Sequence, residues 1–265
     1  MTWWNPYEQV AIKEIWSTIE VSPDVPNRIH VLDYYFTSNE EIASPENCWN
    51  GIMLYSSDEF RNQVDSFQYL EITIKGDHGI LHFDIGELSE DIIPNLTLDS
   101  EDKPIHGIRN ALLDPGEDIG LDGMAGEDPE DWWDLNHNGV KNENEPISYD
   151  DWQYSAGSHN YDKINGTEGN RRLDTEDLNY SGLLDTLNNY CEYRINLDKS
   201  SSDTILINPS LPTNEPYGWR TYRIDLSNPT AIIGNPDPLK PEFFRIWIDG
   251  VTKRTYIRIA TIDFK

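Results

Sequence analysis

The sequence predicts an all-β protein built as an antiparallel β-sandwich, and three observations carry that expectation. Runs rich in β-branched and aromatic residues recur in both flanks of the chain, apolar and charged residues alternate within the last of them, and helical periodicity is weak throughout. About nine short strands with few helices suit two packed sheets of jelly-roll or galactose-binding-like type.

In chain order the first strands are expected at Arg28 to Phe36, Gly51 to Tyr55, Tyr69 to Lys75 and Gly79 to Ile85. Turn chemistry at Lys75-Gly76-Asp77-His78-Gly79 predicts that Tyr69 to Ile85 is a hairpin. Later strands are expected at Tyr193 to Leu197, Thr204 to Ile207, Trp219 to Leu226, Glu242 to Ile248 and Thr255 to Phe264. In Phe244-Arg245-Ile246-Trp247-Ile248 and Tyr256-Ile257-Arg258-Ile259 the alternation predicts one face in a core and one in water. Short helices are expected near Glu8 to Trp16 and Ser57 to Val64. Neither flank has enough strands to close a two-sheet core, so residues 1–265 are expected to form a single sandwich domain.

With 48 acidic residues against 20 basic ones the formal net charge is -28. Such a field repels nucleic acid and anionic membrane surfaces, and excludes nucleic acid as a partner. Hydrophobic residues make up 37% and aromatics 11%, with nine Trp and fourteen Tyr, too much apolar material for a disordered acidic chain. The self-repulsion calls for bound cations. The chain has neither a signal-peptide pattern nor an 18-residue apolar run, so direct membrane insertion of this fragment is not expected; its abrupt ends read as those of a piece cut from a longer protein. Cys48 and Cys191 are too few for a disulfide framework; they can form one bridge or serve as two buried thiols.

Between the flanks, residues 99–189 make a stretch too long for an ordinary loop. From Asp114 to Asp151 thirteen acidic residues meet a single basic one, Lys141, with Trp132, Trp133 and Tyr149 interleaved. Asp134-Leu135-Asn136-His137-Asn138-Gly139-Val140-Lys141-Asn142-Glu143-Asn144-Glu145 matches the twelve-position calcium loop of an EF-hand. Oxygen side chains stand at positions one, three, five and nine (Asp134, Asn136, Asn138, Asn142), Val140 offers a carbonyl, and Glu145 closes the shell; Pro146 forbids a helix after it, so the loop is EF-like only. A second copy runs through Asp177, Asn179, Ser181, the Leu183 carbonyl and Asp185, with Asn188 as a weaker closing ligand. A third acidic group, Asp114, Glu117, Asp118 and Asp122, fits no fixed spacing. The insertion is therefore expected to bind Ca2+.

No catalytic residues are expected. The six histidines have no zinc spacing, and there is no nucleophile elbow or phosphate loop. Carboxylate pairs carry no information in so acidic a chain.

Several segments resemble pieces of the SprA family, very large outer-membrane proteins of the type IX secretion and gliding-motility machinery. They are Trp3-Trp4-Asn5-Pro6 with Ile12 to Trp16, Trp49-Asn50-Gly51-Ile52-Met53, Ile85-Gly86-Glu87-Leu88-Ser89-Glu90-Asp91, Glu117-Asp118-Ile119-Gly120-Leu121-Asp122-Gly123-Met124, Lys163-Ile164-Asn165-Gly166-Thr167-Glu168-Gly169-Asn170 and Asp174-Thr175-Glu176-Asp177-Leu178-Asn179. The resemblance implies one extramembrane domain of a barrel-forming translocon, with no catalytic residues; only the acidic positions carry over. Lacking the many transmembrane strands, the chain is not the secretion pore. Two functions are thus expected: an extracytoplasmic structural or interaction domain whose partner is an envelope or secreted protein, or a carbohydrate-binding module presenting Trp132, Trp133, Tyr149, Trp152 and Tyr154 to a glycan.

Overall fold

The structure, a computed structural model, describes residues 2–23, 26–36, 49–103, 109–126, 131–148, 150–152, 164–198, 218–251 and 254–265. It divides into two compact units, one built from Trp3–Glu87 with Asn189–Lys265 and the other from Leu88–Asn188.

The first unit is an all-β sandwich. One five-stranded sheet runs in the order β1 (Thr2–Trp4), β4 (Leu32–Phe36), β12 (Thr255–Phe264), β6 (Tyr69–Lys75), β9 (Trp219–Asp225). The other runs β10 (Ala231–Ile233), β8 (Asn189–Asn196), β7 (Ile80–Glu87), β11 (Phe243–Asp249), β5 (Asn50–Tyr55). A small ladder pairs β2 (Val10–Ala11) with β3 (Arg28–Ile29). Strands from both flanks interleave: β6 sits between β12 and β9, and β7 between β8 and β11, all antiparallel.

The period-2 pattern places Leu70, Ile72 and Ile74 of β6 opposite Leu81 and Phe83 of β7 and Tyr193 and Ile195 of β8, in one core shared by the two sheets. Tyr34, Tyr222, Ile248 and Ile257 fill it further. Each fully buried aliphatic side chain contributes roughly 1.5–3 kcal/mol.

The expected hairpin over Tyr69 to Ile85 does not form. β6 and β7 lie in different sheets, so Gly76–Gly79 carries the chain across the core rather than back along one ladder. The reason is burial on both sides of the turn: each strand has an apolar stripe that a partner in the opposite sheet covers. Close packing follows at the arch, where a Cβ on Gly76 would lie 3.0 Å from Ile257 Cγ1. Gly79 has φ +96°, a conformation that glycine supplies without a Cβ penalty.

The expected strand over Arg28 to Phe36 is broken into β3 and β4. The expected N-terminal helix shrinks to α1 (Ile12–Ile15), preceded by β2. The other is α2 (Asp58–Arg61), capped by the Ser57 hydroxyl accepting from Phe60 N–H at 3.2 Å and followed by a 3-10 turn at Val64–Ser66. The strand expected at Thr204 to Ile207 and Cys48 lie outside the described residues; Cys191 is buried.

The outer face of the second sheet departs from the water-facing expectation. His82, Asp84 and Glu192 are buried there in a charge network. His82 Nδ1 lies 2.9 Å from Glu192 Oε1, Arg245 and Trp247 donate to Asp84 Oδ2, and the His82 and Trp247 rings stack at 3.6 Å. Among the described residues no helix is long and apolar enough to cross a membrane.

Candidate metal centre

The Leu88–Asn188 unit contains no named strand or helix among its described residues. Its order comes from carboxylates that accept backbone N–H groups. The Asp134 loop shows the plan. Asp134 Oδ1 accepts from Asn138 N–H at 3.1 Å and Oδ2 from Gly139 N–H at 2.6 Å. Asn138 Oδ1 accepts from Val140 N–H at 2.7 Å, and Glu145 Oε2 accepts from Asn142 N–H at 2.8 Å. Glu145 Oε1 is buried without a hydrogen-bond partner. Asn136 Oδ1 also accepts from Asn138 N–H. All the oxygen side chains read from the sequence here are thus drawn into one loop, while His137 stands off it, with Nε2 3.6 Å from Asp99 Oδ1.

The second predicted loop repeats the plan, with one correction. Asp177 accepts from Ser181 N–H at 2.8 Å and Gly182 N–H at 2.7 Å, Asn179 Oδ1 from Ser181 N–H, and Ser181 Oγ from Leu183 N–H. Asp185 Oδ2 accepts from Asn179. The closing position does not go to Asn188, whose side chain instead accepts from Ser89 N–H. Glu90 takes it from the far end of the unit, accepting from Leu178 N–H at 2.7 Å and Asp185 N–H at 3.4 Å.

The third predicted group, Asp114, Glu117, Asp118 and Asp122, is not one site. Asp114 and Glu117 belong to a set opened by Asp102, which accepts from Asn110 and Ala111 N–H; Glu117 closes it on Lys103 and Asp114 N–H. Asp118 opens another, accepting from Arg171 N–H, with Asn170 and Asp174 inside it. Glu101 closes that set on Ile119, Gly120 and Asp174 N–H, at 2.7–2.8 Å. Asp122 lies instead with Asp131 and Asp150.

A fifth set escaped the sequence reading entirely. Asp91 accepts from Asn95 and Leu96 N–H, Asn95 Nδ2 donates to Asp99 Oδ2, and Glu176 closes on Ile92, Ile93 and Asp99 N–H at 2.6, 2.8 and 3.0 Å. In all five sets the residue after the fifth-position oxygen has a left-handed backbone: Leu96, Ala111, Arg171, Gly139 and Gly182, with φ from 58° to 76°.

Four Glu–Asp dipeptides wire these sets together: Glu90-Asp91, Glu101-Asp102, Glu117-Asp118 and Glu176-Asp177. In each, the glutamate closes one set and the aspartate opens another. The Asp91 and Asp177 sets exchange closing glutamates reciprocally, and so do the Asp102 and Asp118 sets. Glu90, Glu101 and Glu176 are fully buried, and burial pushes each carboxyl up to about 7. Among the described residues the one contact of a carboxylate of these five sets with a basic side chain at ion-pair distance is His137 Nε2 to Asp99 Oδ1, charged only when the imidazole is protonated.

No protein-family model matches the chain, and no curated protein matches it.

Of the aromatic residues proposed for glycan binding, Trp132, Trp133 and Trp152 are each half-buried, and Trp132 Nε1 is shut off from solvent. Tyr149 and Tyr154 lie outside the described residues.

Proposed function

We propose that the Leu88–Asn188 unit is a calcium-held module and that the chain is a non-catalytic structural or interaction domain of an extracytoplasmic protein. One observation carries the reading: five buried glutamates close five oxygen-lined sets that bring many negative charges together with almost no cationic side chain. Uncompensated buried carboxylates are costly, and a hard divalent ion bound by oxygens removes that cost. Asp134, Asn136, Asn138, the Val140 carbonyl, Asn142 and Glu145 would hold one ion, and Asp177, Asn179, Ser181, the Leu183 carbonyl, Asp185 and Glu90 another. Extracellular calcium modules work with Kd about 10⁻⁴–10⁻³ M, which suits sites placed outside the cytoplasm.

The motifs similar to the SprA family support a place in an outer-membrane secretion or gliding assembly, with an envelope or secreted protein as partner. The half-buried tryptophans supply no exposed platform for the glycan reading.

Calorimetric titration of the full chain tests the calcium reading. Calcium binds in several equivalents and the Asp134→Ala, Glu145→Ala double variant loses one of them; an unchanged melting temperature in excess EDTA, with metal removal verified, overturns the reading. Pull-down from an envelope extract with and without calcium tests the interaction role. If nothing is captured in a calcium-dependent way, the module is a structural spacer.

A further inference from the structure

We infer that Asp122, Asp131 and Asp150 form an additional centre for a hard divalent cation, separate from the five loop sets and built on a different plan. One carboxylate oxygen of each lies within 4.8 Å of those of the other two. The three residues are 9%, 2% and 7% exposed, so water cannot solvate three charges there. Asp122 Oδ2 and Asp131 Oδ2 are buried with no hydrogen-bond partner.

The opposite edge of each carboxylate is held. Met124 N–H donates to Asp122 Oδ1 at 2.9 Å, Trp132 N–H to Asp131 Oδ1 at 2.8 Å, and the Ser148 hydroxyl to Asp150 Oδ1 at 2.9 Å. Clamping one oxygen by the protein and leaving the other over is the arrangement of an oriented ligand. A carboxylate whose only role is to cap a turn does not need two like neighbours within 4.8 Å. Gly120 supports the geometry: a Cβ there would stand 2.0 Å from Asp150 Oδ2, and its φ is +77°.

Three buried like charges are tolerated only if neutralised. Burial and repulsion between the neighbouring acids disfavour the charged forms of Asp122 and Asp150, so the cluster needs a partner that neutralises it. A divalent cation does it directly. The donor set is oxygen alone, which selects ions of the calcium, manganese and magnesium class over zinc or copper. The ligands lack the first, fifth and closing spacing of the loops: Asp131 and Asp150 stand on the two arms that flank the Asp134 loop, bridged at Trp132 and Ile147, and the centre ties those arms to the separate stretch that carries Asp122.

Manganese is the probe. Crystals of the full chain grown with manganese in place of calcium are expected to show an anomalous peak enclosed by Asp122, Asp131 and Asp150, and crystals of Asp131→Asn to lack it. Peaks at the loop sets with none here overturn this centre and leave the loops standing; no peaks anywhere overturn both. In solution, Asp150→Asn is expected to lower the calcium count by one, additively with the Asp134→Ala, Glu145→Ala variant. An unchanged count in folded Asp150→Asn overturns the centre, and if that variant fails to fold, the anomalous map of the unaltered chain decides.

Discussion

Replacing Glu176 by Gln separates a glutamate that merely accepts backbone N–H groups from one that also closes an ion site. Glu176 takes three N–H groups, from Ile92 and Ile93 on Oε1 and from Asp99 on Oε2. Gln keeps the shape and one oxygen, so its amide would face the Asp99 N–H with a donor. One buried N–H then goes unpaired, costing about 1–3 kcal/mol with or without metal. In calcium a second loss is added, because an ion at a hundred times its Kd contributes about 2.7 kcal/mol. The expected destabilisation is therefore about 1–3 kcal/mol in EDTA and about 4–6 kcal/mol in calcium. Glu176 closes the Asp91 set alone, so binding stoichiometry falls by one, and the peptide-linked Asp177 set keeps its own ion. In a unit of about 100 residues each kcal/mol moves Tm by about 4–8 °C, so the drop in calcium is about 16 °C or more. Differential scanning calorimetry of the full chain in calcium and in EDTA, with proteolysis locating new cuts between Leu88 and Asn188, measures both terms. An equal drop in the two conditions would refute the closing role.

Three further outcomes are expected. Ala111→Gly should stabilise the Leu88–Asn188 unit by about 0.5–1 kcal/mol, because Ala111 sits at φ 58°, where a side chain costs about 1–2 kcal/mol and glycine's extra chain entropy offsets only part of that; a lower melting temperature would contradict it. Ile72→Ala should cost the sandwich about 2–5 kcal/mol in chemical denaturation, since Ile72 is fully buried in the interior strand β6; a loss under about 1 kcal/mol would show the core to be loosely packed. Burial works to raise the Glu192 carboxyl, yet its Arg194 and His82 partners hold it below the ordinary 4.5. A lowered folded value means that the stabilisation is present above about 4.5 and lost as pH falls through the folded value. Glu192→Gln should therefore flatten the acid limb of the stability curve, and an unaltered limb would assign acid loss to other groups.

The sandwich was legible because its strands obey period 2, and burial on one face is enough to specify them. The turn at Gly76–Gly79 was misread because turn residues serve a hairpin and an arch between sheets equally well, and only the pairing of β6 with β12 and β9 decides. The Asp134 and Asp177 loops were legible in the same way, since glycine stands at their sixth positions and most of their oxygens are contiguous. The other three sets place Leu96, Ala111 and Arg171 where a template expects glycine, and draw a first or closing acid from as far away as Glu176 is from Asp91. A search for contiguous loops could not see them. One signal was nonetheless in the sequence: a Glu–Asp dipeptide repeated through the acidic stretch. A lone dipeptide of this kind reads as surface charge. Recurring four times at the described set boundaries, it follows a physical rule: two acids on successive residues leave the chain in different directions and can serve two ions at once. That rule links four of the five sets pairwise, so the module should order as two coupled pairs beside the self-closed Asp134 loop rather than as five independent loops. Calcium binding should accordingly be cooperative within each pair, and in calorimetric titration a fit by identical independent sites would show that the shared dipeptides transmit nothing.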